Sequence, residues 1–264
     1  MFKIVTCGDS KYFEFLLNLE KNIYQTYGFY PIIYNLGLYE EQIKNLNSKV
    51  LNICITEKFW ESNPNGHIKA THKPKCIENI LNTSNDNCLY IDADTIFTSR
   101  INEEVFNNAD IGITPRHIKE RKPQYSKNGL INTGLIYFRN SEETKTLVEK
   151  WLIACQDHDT TDQKALSDIL NEQVDLTTGA ALQKYDTLNI LLLDPSIYND
   201  VACKTGIIFH FKNAGRRHVS LLKYRNFASI QSKFPKSVSA FTAFRRLIML
   251  VKRRATKSEQ RFRK

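Results

Sequence analysis

Two carboxylates follow an apolar run in residues 90–97, YIDADTIF, and a single alanine separates them. Asp92 and Asp94 stand where a buried strand would end, and apolar residues resume at Ile96. Two like charges in that position lose hydration and repel each other unless a cation lies between them. The pair therefore predicts a divalent metal site. A solvated strand end is the plainer alternative that this segment leaves open.

The same segment admits a second enzymatic interpretation, the nucleophile motif of haloacid-dehalogenase phosphatases. That motif is an apolar strand followed by Asp-x-Asp-x and then Thr or Val, whereas the fifth position here is Ile96. The motif also belongs on the first strand of its fold, but three predicted strands and about ninety residues precede Asp92. The position of the pair thus favours a metal site in the middle of a domain.

Predicted strands and helices alternate along the chain, which is typical of a largely parallel α/β sheet. Apolar runs predict strands in residues 2–10, 30–37, 50–57, 88–92, 109–115, 129–139 and 205–211. Helical periodicity predicts helices in residues 12–27, 40–47, 74–81, 141–156 and 160–170. Pro74 would lie in the first turn of its helix, and Ser141 and Thr160 or Thr161 would cap the last two.

Four further segments occur along the chain in the order that GT-A glycosyltransferases share, two before and two after the Asp-x-Asp motif. They are VTCGDSKY, THKPKCIENIL, INTGLIYFRN with TTDQKAL, and IIFHFKNAGRRH. Together with the Asp-x-Asp motif they make most of residues 1–217 resemble the bacterial lipopolysaccharide galactosyltransferases and glycogenin-like enzymes, and more loosely the plant-type nucleotide-diphospho-sugar transferases. The resemblance implies an α/β, GT-A (Rossmann-like) nucleotide-sugar-binding domain with a mostly parallel central sheet. It also implies metal-dependent sugar transfer from a nucleotide diphosphate, expected to be a UDP-sugar, to a hydroxyl of a glycan or lipid-linked saccharide.

The resemblance assigns three metal ligands, Asp92, Asp94 and His210. Imidazole suits manganese beside carboxylates, so manganese is the expected ion and magnesium the alternative. The chain departs from the family after His210, because Asn213 stands where the family has Gly and Arg216 replaces a Lys. The family's trailing Lys-Pro-Trp is also absent. Arg216 or the neighbouring Arg217 could still bind a phosphate through a bidentate guanidinium.

The donor-binding residues that the resemblance implies are Cys7, Asp9, Tyr12, Lys75, Asp92, Ala93, Asn132 and Arg216. Asp9 would accept a hydrogen bond from uracil and Tyr12 would stack on the base, although Asp9 could instead cap the following helix. Lys75 stands seventeen positions before Asp92, where the family carries a cation for the diphosphate. Lys73 is the rival for that role.

Asp162 and Gln163 are the catalytic residues that the resemblance implies. Asp162 would bind hydroxyls of the donor sugar through charge-assisted hydrogen bonds, and Gln163 would lie near the anomeric carbon. Asp162 could instead be an acid that favours the dipole of the helix it begins. The resembling families retain the anomeric configuration, and no residue is an evident dedicated base, so retention is expected. A catalytically silent protein that binds the nucleotide sugar is the non-enzymatic alternative.

Positive charge is concentrated at the C-terminal end of the chain. Residues 229–264 contain eleven Lys/Arg and one acid and carry a net charge of +10. Residues 1–228 carry −1 and are nearly neutral, which gives the total of +9. We therefore predict a glycosyltransferase domain in 1–228 and a basic amphipathic tail in 229–264. A helix there would align five apolar residues on one face: Phe241, Phe244, Leu247, Ile248 and Val251.

This tail predicts binding to an anionic membrane surface, since basic residues flank an apolar stripe. Binding to nucleic acid is not expected, because it would not require the stripe, and a helix packed back on the domain is the plainer alternative. The six cysteines form no Cys-x-x-Cys pair and are expected to be reduced. No signal peptide and no membrane-spanning run is recognised, so we expect a cytoplasmic protein, peripheral at the inner face of a membrane.

Overall fold

The computed structural model describes residues 2–53, 68–117, 120, 128–156, 160–212, 214–215 and 217–262. The strands of this part are β1 Phe2–Gly8, β2 Ile32–Asn35, β3 Lys49–Asn52, β4 Asn87–Ile91, β5 Thr95–Phe97, β6 Ile111–Pro115, β7 Ile131–Phe138, β8 Ala181–Tyr185, β9 Leu188–Leu192 and β10 Ile208–His210. The helices are α1 Phe13–Tyr27, α2 Glu40–Lys44, α3 Ile68–Thr83, α4 Glu142–Ala154, α5 Asp162–Asn171, α6 Pro195–Tyr198, α7 His218–Lys233 and α8 Pro235–Phe262. Short 3-10 helices span Ser10–Tyr12 and Glu103–Phe106.

Eight of these strands form one sheet in the order β3-β2-β1-β4-β7-β6-β9-β8. Strands β3, β2, β1 and β4 are parallel, and β6 and β9 run in the same direction, whereas β7 and β8 are reversed. The predicted α/β class with a mostly parallel central sheet is confirmed. Buried β-branched and aromatic residues dominate the inner strands, as expected of a sheet covered on both faces.

The reversed strand β7 creates the meeting point on which the site depends. Because β7 is antiparallel to β4, the start of β7 lies beside the end of β4, and Ile91 pairs with Leu135. The amide of Asp92 then donates to the carbonyl oxygen of Gly134 at 3.0 Å. A separate two-stranded sheet of β5 and β10 brings His210 opposite Thr95. Residues from three distant segments are thereby held at one edge of the main sheet.

The core on the α3–α5 side of the sheet is centred on Trp151, whose side chain is fully buried. Its ring lies 6.3 Å from that of Phe138, centroid to centroid, and its Nε1 donates to the carbonyl oxygen of Asp162 at 2.8 Å. Trp151 therefore fixes the first residue of α5 as well as filling the core. This contact ties the packing of the sheet to a predicted catalytic position.

Several local predictions require correction. Helix α3 begins at Ile68, so Pro74 lies inside it and not in its first turn. A proline at this interior position lacks the N–H that would donate to the carbonyl oxygen of residue 70, so the helix forms without that backbone hydrogen bond. The third strand ends at Asn52, and the remainder of its predicted range, from residue 54, lies outside the described residues. The β8–β9 hairpin was not predicted, because its turn uses Asp186 at a φ of 49° in place of glycine.

The C-terminal helices lie against the domain on one side only. Helix α7 contributes the buried Tyr224, whose ring is 4.6 Å from Phe15, so the predicted boundary at 228/229 falls within a packed helix. Helix α8 buries Val238 and Thr242, and Arg246 donates to the carbonyl oxygen of Thr205 at 2.9 Å. The division of the chain into two units remains a prediction. None of the helices in the described ranges is long and apolar enough to cross a membrane.

Replacing Trp151 with alanine should lower the free energy of unfolding by about 3–5 kcal/mol, because the change leaves a large cavity in the core. The matched control is Ile153→Ala on the same helix, whose side chain is 61% exposed and whose loss should cost less than about 0.5 kcal/mol. Urea denaturation followed by circular dichroism measures both. Equal losses would contradict the core that we describe.

Candidate active site

Two side chains of the Asp-x-Asp motif and one from a distant segment of the chain converge just after the end of β4. The Nε2 of His210 lies 3.2 Å from Oδ1 of Asp94 and 3.8 Å from Oδ2 of Asp92. One ligand atom from each of the three residues lies within 4.8 Å of the other two. His210 is 3% and Asp94 7% exposed, so the cluster is largely shielded from water. The Asp-x-Asp motif and the late histidine are thus brought together.

The donor set fits a small divalent cation. Two carboxylates and one imidazole are the ligands that manganese and similar ions accept. The ring of His210 lies directly against the backbone of Gly134, because a Cβ at that position would be 2.4 Å from the ring Cε1. Gly134 therefore leaves space for the imidazole, and any larger residue at this position would displace the ring and the nitrogen that faces the carboxylates. The sequence alone gave no indication that Gly134 serves His210.

Lys73 links the Asp-x-Asp motif to the start of α5. Its Nζ lies 2.7 Å from Oδ1 of Asp92 and 3.4 Å from Oδ2 of Asp162, and it donates to the hydroxyl of Thr133 at 3.1 Å. Burial alone would lower the pKa of Lys73, but the two carboxylates outweigh it and raise the pKa above its ordinary value. The ammonium group therefore stays charged and leaves Oδ2 of Asp92 facing His210.

Lys75, the residue expected from spacing, lies apart from this cluster. Its side chain is 41% exposed and pairs with Glu78 on the surface of α3. The structure thus brings Lys73, and not Lys75, among the carboxylates. Lys75 lies on the outward face of the same helix, and its role at the diphosphate stays a prediction.

Asp162 is the first residue of α5 and is almost completely buried. Thr161 caps this helix by accepting from the amide of Lys164 at 3.2 Å. One carboxylate oxygen of Asp162 accepts from the Thr133 hydroxyl and faces Lys73. The other, Oδ1, has no hydrogen-bond partner within the described residues. A buried carboxylate oxygen with an open acceptor position is suited to a ligand hydroxyl.

Gln163 is held by Arg116, a residue that the sequence did not single out. The guanidinium donates from Nη2 to Oε1 of Gln163 at 2.6 Å and from Nε to the carbonyl oxygen of Gly129 at 2.9 Å. Burial lowers the pKa of Arg116. Since the guanidinium occupies the amide oxygen, the orientation of the Gln163 side chain is fixed. Nothing in the spacing of residues 116 and 163 could have predicted this contact.

The remaining predicted residues take the following positions. Asn132 is buried at the start of β7, and its Oδ1 accepts from the amide of Gly134 at 3.1 Å. Ala93 is buried between the two aspartates. Arg216 and Asn213 lie outside the described residues. Lys212, two residues after His210, forms an ion pair with Glu120 at 2.9 Å, and burial lowers its pKa.

The residues at the end of β1 form the other flank of the site. Asp9 caps the 3-10 helix by accepting from the amide of Lys11 at 3.1 Å. The ring of Tyr12 is approached so closely by Gly215 that a Cβ there would lie 3.0 Å from Cζ. Cys7 lies 3.2 Å from the hydroxyl of Tyr90, and a hydrogen bond with the Cys76 side chain, opposed by burial, lowers the pKa of the Cys7 thiol. The capping role of Asp9 is thus present in the structure.

A family model described as nucleotide-diphospho-sugar transferase matches residues 52–234, which is more than half of the 264-residue chain. The chain belongs to that family. The matched range contains the Asp-x-Asp motif, Lys73, the α5 pair Asp162 and Gln163, and His210. No curated protein sequence matches the chain.

Two solved structures of LgtC are similar to this transferase-family chain. One is an active-site mutant of LgtC, with 18% identity and a TM-score of 0.43, covering 58% of this chain and 59% of that one. The other is the galactosyltransferase LgtC in complex with donor and acceptor sugar analogs, with 16% identity and a TM-score of 0.41, covering 62% and 69%. The match thus spans less than two thirds of the first of these relatives.

Lys73→Met should lower the free energy of unfolding by about 3 kcal/mol or more, because it leaves the carboxylates of Asp92 and Asp162 without their buried cation. The control is Lys75→Met on the same helix, which removes an exposed pair worth about 0–1 kcal/mol. Urea titrations of both variants make the comparison. A larger loss from Lys75→Met would contradict the placement of Lys73.

Proposed function

We propose that this protein is a metal-dependent glycosyltransferase that moves a sugar from a UDP-sugar to a hydroxyl of a glycan or lipid-linked saccharide. The observation that carries the proposal is the Lys73 bridge between Asp92 and Asp162. It joins a cluster able to bind a metal to a carboxylate able to bind a sugar, within a chain of the nucleotide-diphospho-sugar transferase family. A nucleotide sugar carries its sugar directly on the diphosphate, so the metal-binding cluster and the sugar-binding carboxylate must lie close together.

Asp92, Asp94 and His210 would hold the divalent ion, with manganese proposed and magnesium as the alternative. Such an ion, when bound, neutralises charge on the departing nucleoside diphosphate. The chain supplies further positive charge at this edge of the sheet. Lys212, two residues after His210, would release Glu120 to reach a phosphate. Arg216, assigned to the same role from the sequence, is retained as a proposal.

Asp162 and Gln163 would contact the donor sugar. The open Oδ1 of Asp162 would accept from a sugar hydroxyl, while the ammonium group of Lys73 faces the other oxygen, Oδ2. Gln163, fixed through its oxygen by Arg116, would lie beside the anomeric carbon. Both are held by buried partners, which limits their movement during transfer. We propose retention of anomeric configuration, in keeping with the families that the chain resembles.

The end of β1 would hold the nucleoside. Tyr12 is the aromatic ring that we propose stacks on uracil, and the backbone of Gly215 packs so closely beside the ring that a side chain there would clash with it. Asp9 is buried just after β1 and caps the 3-10 helix, and we propose that its carboxylate also accepts a hydrogen bond from the base. Cys7 and Ala93 would contact the donor between the base and the metal ion.

We predict that UDP binds at least about tenfold more tightly with manganese than with a chelator, a difference of about 1.4 kcal/mol, because the ion bridges the diphosphate to the cluster. In Asp94→Asn, UDP affinity with manganese should fall to the value measured in chelator. Isothermal calorimetry measures both. Equal affinities with and without metal would contradict the metal assignment. Hydrolysis of an aryl phosphate that is lost in Asp92→Asn would favour the phosphatase alternative instead.

Gln163→Ala and Asp162→Asn should lower the rate of transfer by about 100-fold or more while leaving UDP affinity nearly unchanged, because both side chains would face the sugar. Donor hydrolysis without acceptor, screened across nucleotide sugars, supplies the rate. Lost UDP binding with unchanged turnover at saturation would place the two residues at the wrong end of the donor. Tight UDP binding with no turnover of any donor by the unaltered protein would favour the catalytically silent alternative.

We also propose that α8 binds an anionic membrane surface. Its apolar stripe faces away from the domain, with exposed fractions of 58% for Phe241, 61% for Phe244 and 59% for Leu247. The opposite side of α8 packs on the domain through Thr242 and Arg246. A packed helix and an exposed stripe therefore coexist, and the domain would be held at the inner face of a membrane as a peripheral protein.

Leu247→Glu should weaken binding to anionic vesicles by about tenfold, because it puts a negative charge into the face that would insert. Ile153→Glu is the matched control, since Ile153 is 61% exposed on another helix and the charge change is identical. Co-sedimentation with neutral and anionic vesicles at low and high salt measures binding. The intact protein should bind less at high salt but retain some binding. If Leu247→Glu and Ile153→Glu behave alike, the stripe does not contact lipid.

A further inference from the structure

A chain of buried hydrogen bonds leads from His210 back to the peptide backbone. Nδ1 of His210 lies 2.7 Å from Oδ1 of Asn199, and Nδ2 of Asn199 donates to Oγ1 of Thr114 at 3.0 Å. The hydroxyl of Thr114 in turn donates to the carbonyl oxygen of Asn132 at 2.9 Å. The three side chains of this relay, His210, Asn199 and Thr114, are each at most 3% exposed.

The direction of hydrogen-bond donation along this relay follows from its last acceptor, the carbonyl oxygen of Asn132. A backbone carbonyl oxygen can only accept, and a threonine hydroxyl has a single proton to give. With that proton on the carbonyl oxygen of Asn132, Oγ1 of Thr114 can only accept from Asn199. Asn199 must therefore turn its amino group to Thr114 and its oxygen to His210. In the reversed amide, one proton of Thr114 would have to serve two oxygens.

We infer that Asn199 and Thr114 are positioning residues that fix the tautomer of His210. Because Nδ1 faces the oxygen of Asn199, it carries the ring proton. Nε2 is then left unprotonated toward Asp92 and Asp94, with its lone pair available to a metal ion. Hydrogen-bond partners of a histidine ligand commonly fix its tautomer in this way. Here the tautomer is fixed by a backbone carbonyl oxygen of β7 that acts through two side chains. The inference rests on the metal site proposed above and assigns roles to two residues outside the predicted site.

The loop around Asn199 holds it in place independently of any ligand. Its backbone amide donates to the carbonyl oxygen of Pro195 at 3.3 Å, at the end of α6. The carboxylate of the next residue, Asp200, accepts from the amides of Lys204, Thr205 and Gly206. The amide of His210 donates to the carbonyl oxygen of Asp200 at 3.2 Å. Asn199 and His210 are therefore fixed relative to each other by backbone contacts as well.

The test uses nitrogen-15 NMR of the full-length, metal-free protein with the histidine rings neutral, together with manganese affinity measured by electron paramagnetic resonance without nucleotide. The unaltered protein should show a protonated Nδ1 and an unprotonated Nε2 at His210. Thr114→Val frees the amide of Asn199 to reverse, so both tautomers should appear and manganese should bind several-fold more weakly. Thr114→Ser keeps the hydroxyl and should match the unaltered protein in both measurements. Asn199→Leu should lower manganese affinity by roughly 10–100-fold.

Asn199→Asp keeps an oxygen toward His210 and should retain the protonated Nδ1, which separates a tautomer effect from a loss of packing. It also keeps the proposal testable if Thr114→Val or Asn199→Leu does not fold. A protonated Nε2 in the unaltered protein would overturn the inference, as would a tautomer that is the same in Thr114→Val. If the tautomer is as expected but the unaltered protein binds no manganese, the metal site fails and the relay stands. The two claims therefore fail separately.

Discussion

The ammonium group of Lys73 lies between two carboxylates that come from opposite ends of the site. Asp92 follows β4 and Asp162 begins α5, and each carboxylate faces the buried ammonium group. Asp94 adds a third acid to the same small volume. Lys73 offsets part of the negative charge permanently, which leaves a smaller excess for a divalent ion to neutralise. Lys73 also couples the two parts of the site. Because both carboxylates contact the same ammonium group, movement of one changes the position of the charge that the other contacts.

The sheet explains how residues so far apart in sequence reach this lysine. The parallel strands β1 and β4 end at the same edge, and the reversed strand β7 begins there. Asn132, Thr133 and Gly134 therefore lie beside Asp92 and not at the far end of the sheet. Each of these three has a separate function: one carbonyl orients the relay to His210, one hydroxyl bridges Lys73 and Asp162, and one bare Cα admits the imidazole. An all-parallel sheet would not bring them together.

The sequence was sufficient for the fold class and for naming Asp92, Asp94 and His210 as candidate metal ligands, because an apolar strand followed by Asp-x-Asp is a local pattern and the family resemblance supplied the late histidine. It was not sufficient to choose between Lys73 and Lys75. Successive helical residues are rotated by about 100°, so residues two apart point to nearly opposite faces, and the start of α3 decides which face is inward. Arg116, Asn199 and Thr114 left no local signal at all. Their contacts join segments whose proximity is a property of the folded sheet.

The central claim is that Asp92, Asp94 and His210 together bind the ion that holds the donor diphosphate. Crystals grown with UDP and manganese, measured near the manganese absorption edge, test it directly through an anomalous difference map. We expect one strong peak about 2.0–2.3 Å from Oδ2 of Asp92, an Oδ of Asp94 and Nε2 of His210, in contact with the diphosphate. Electron density for UDP at the end of β1 and β4 without an anomalous peak among these three atoms would contradict the account.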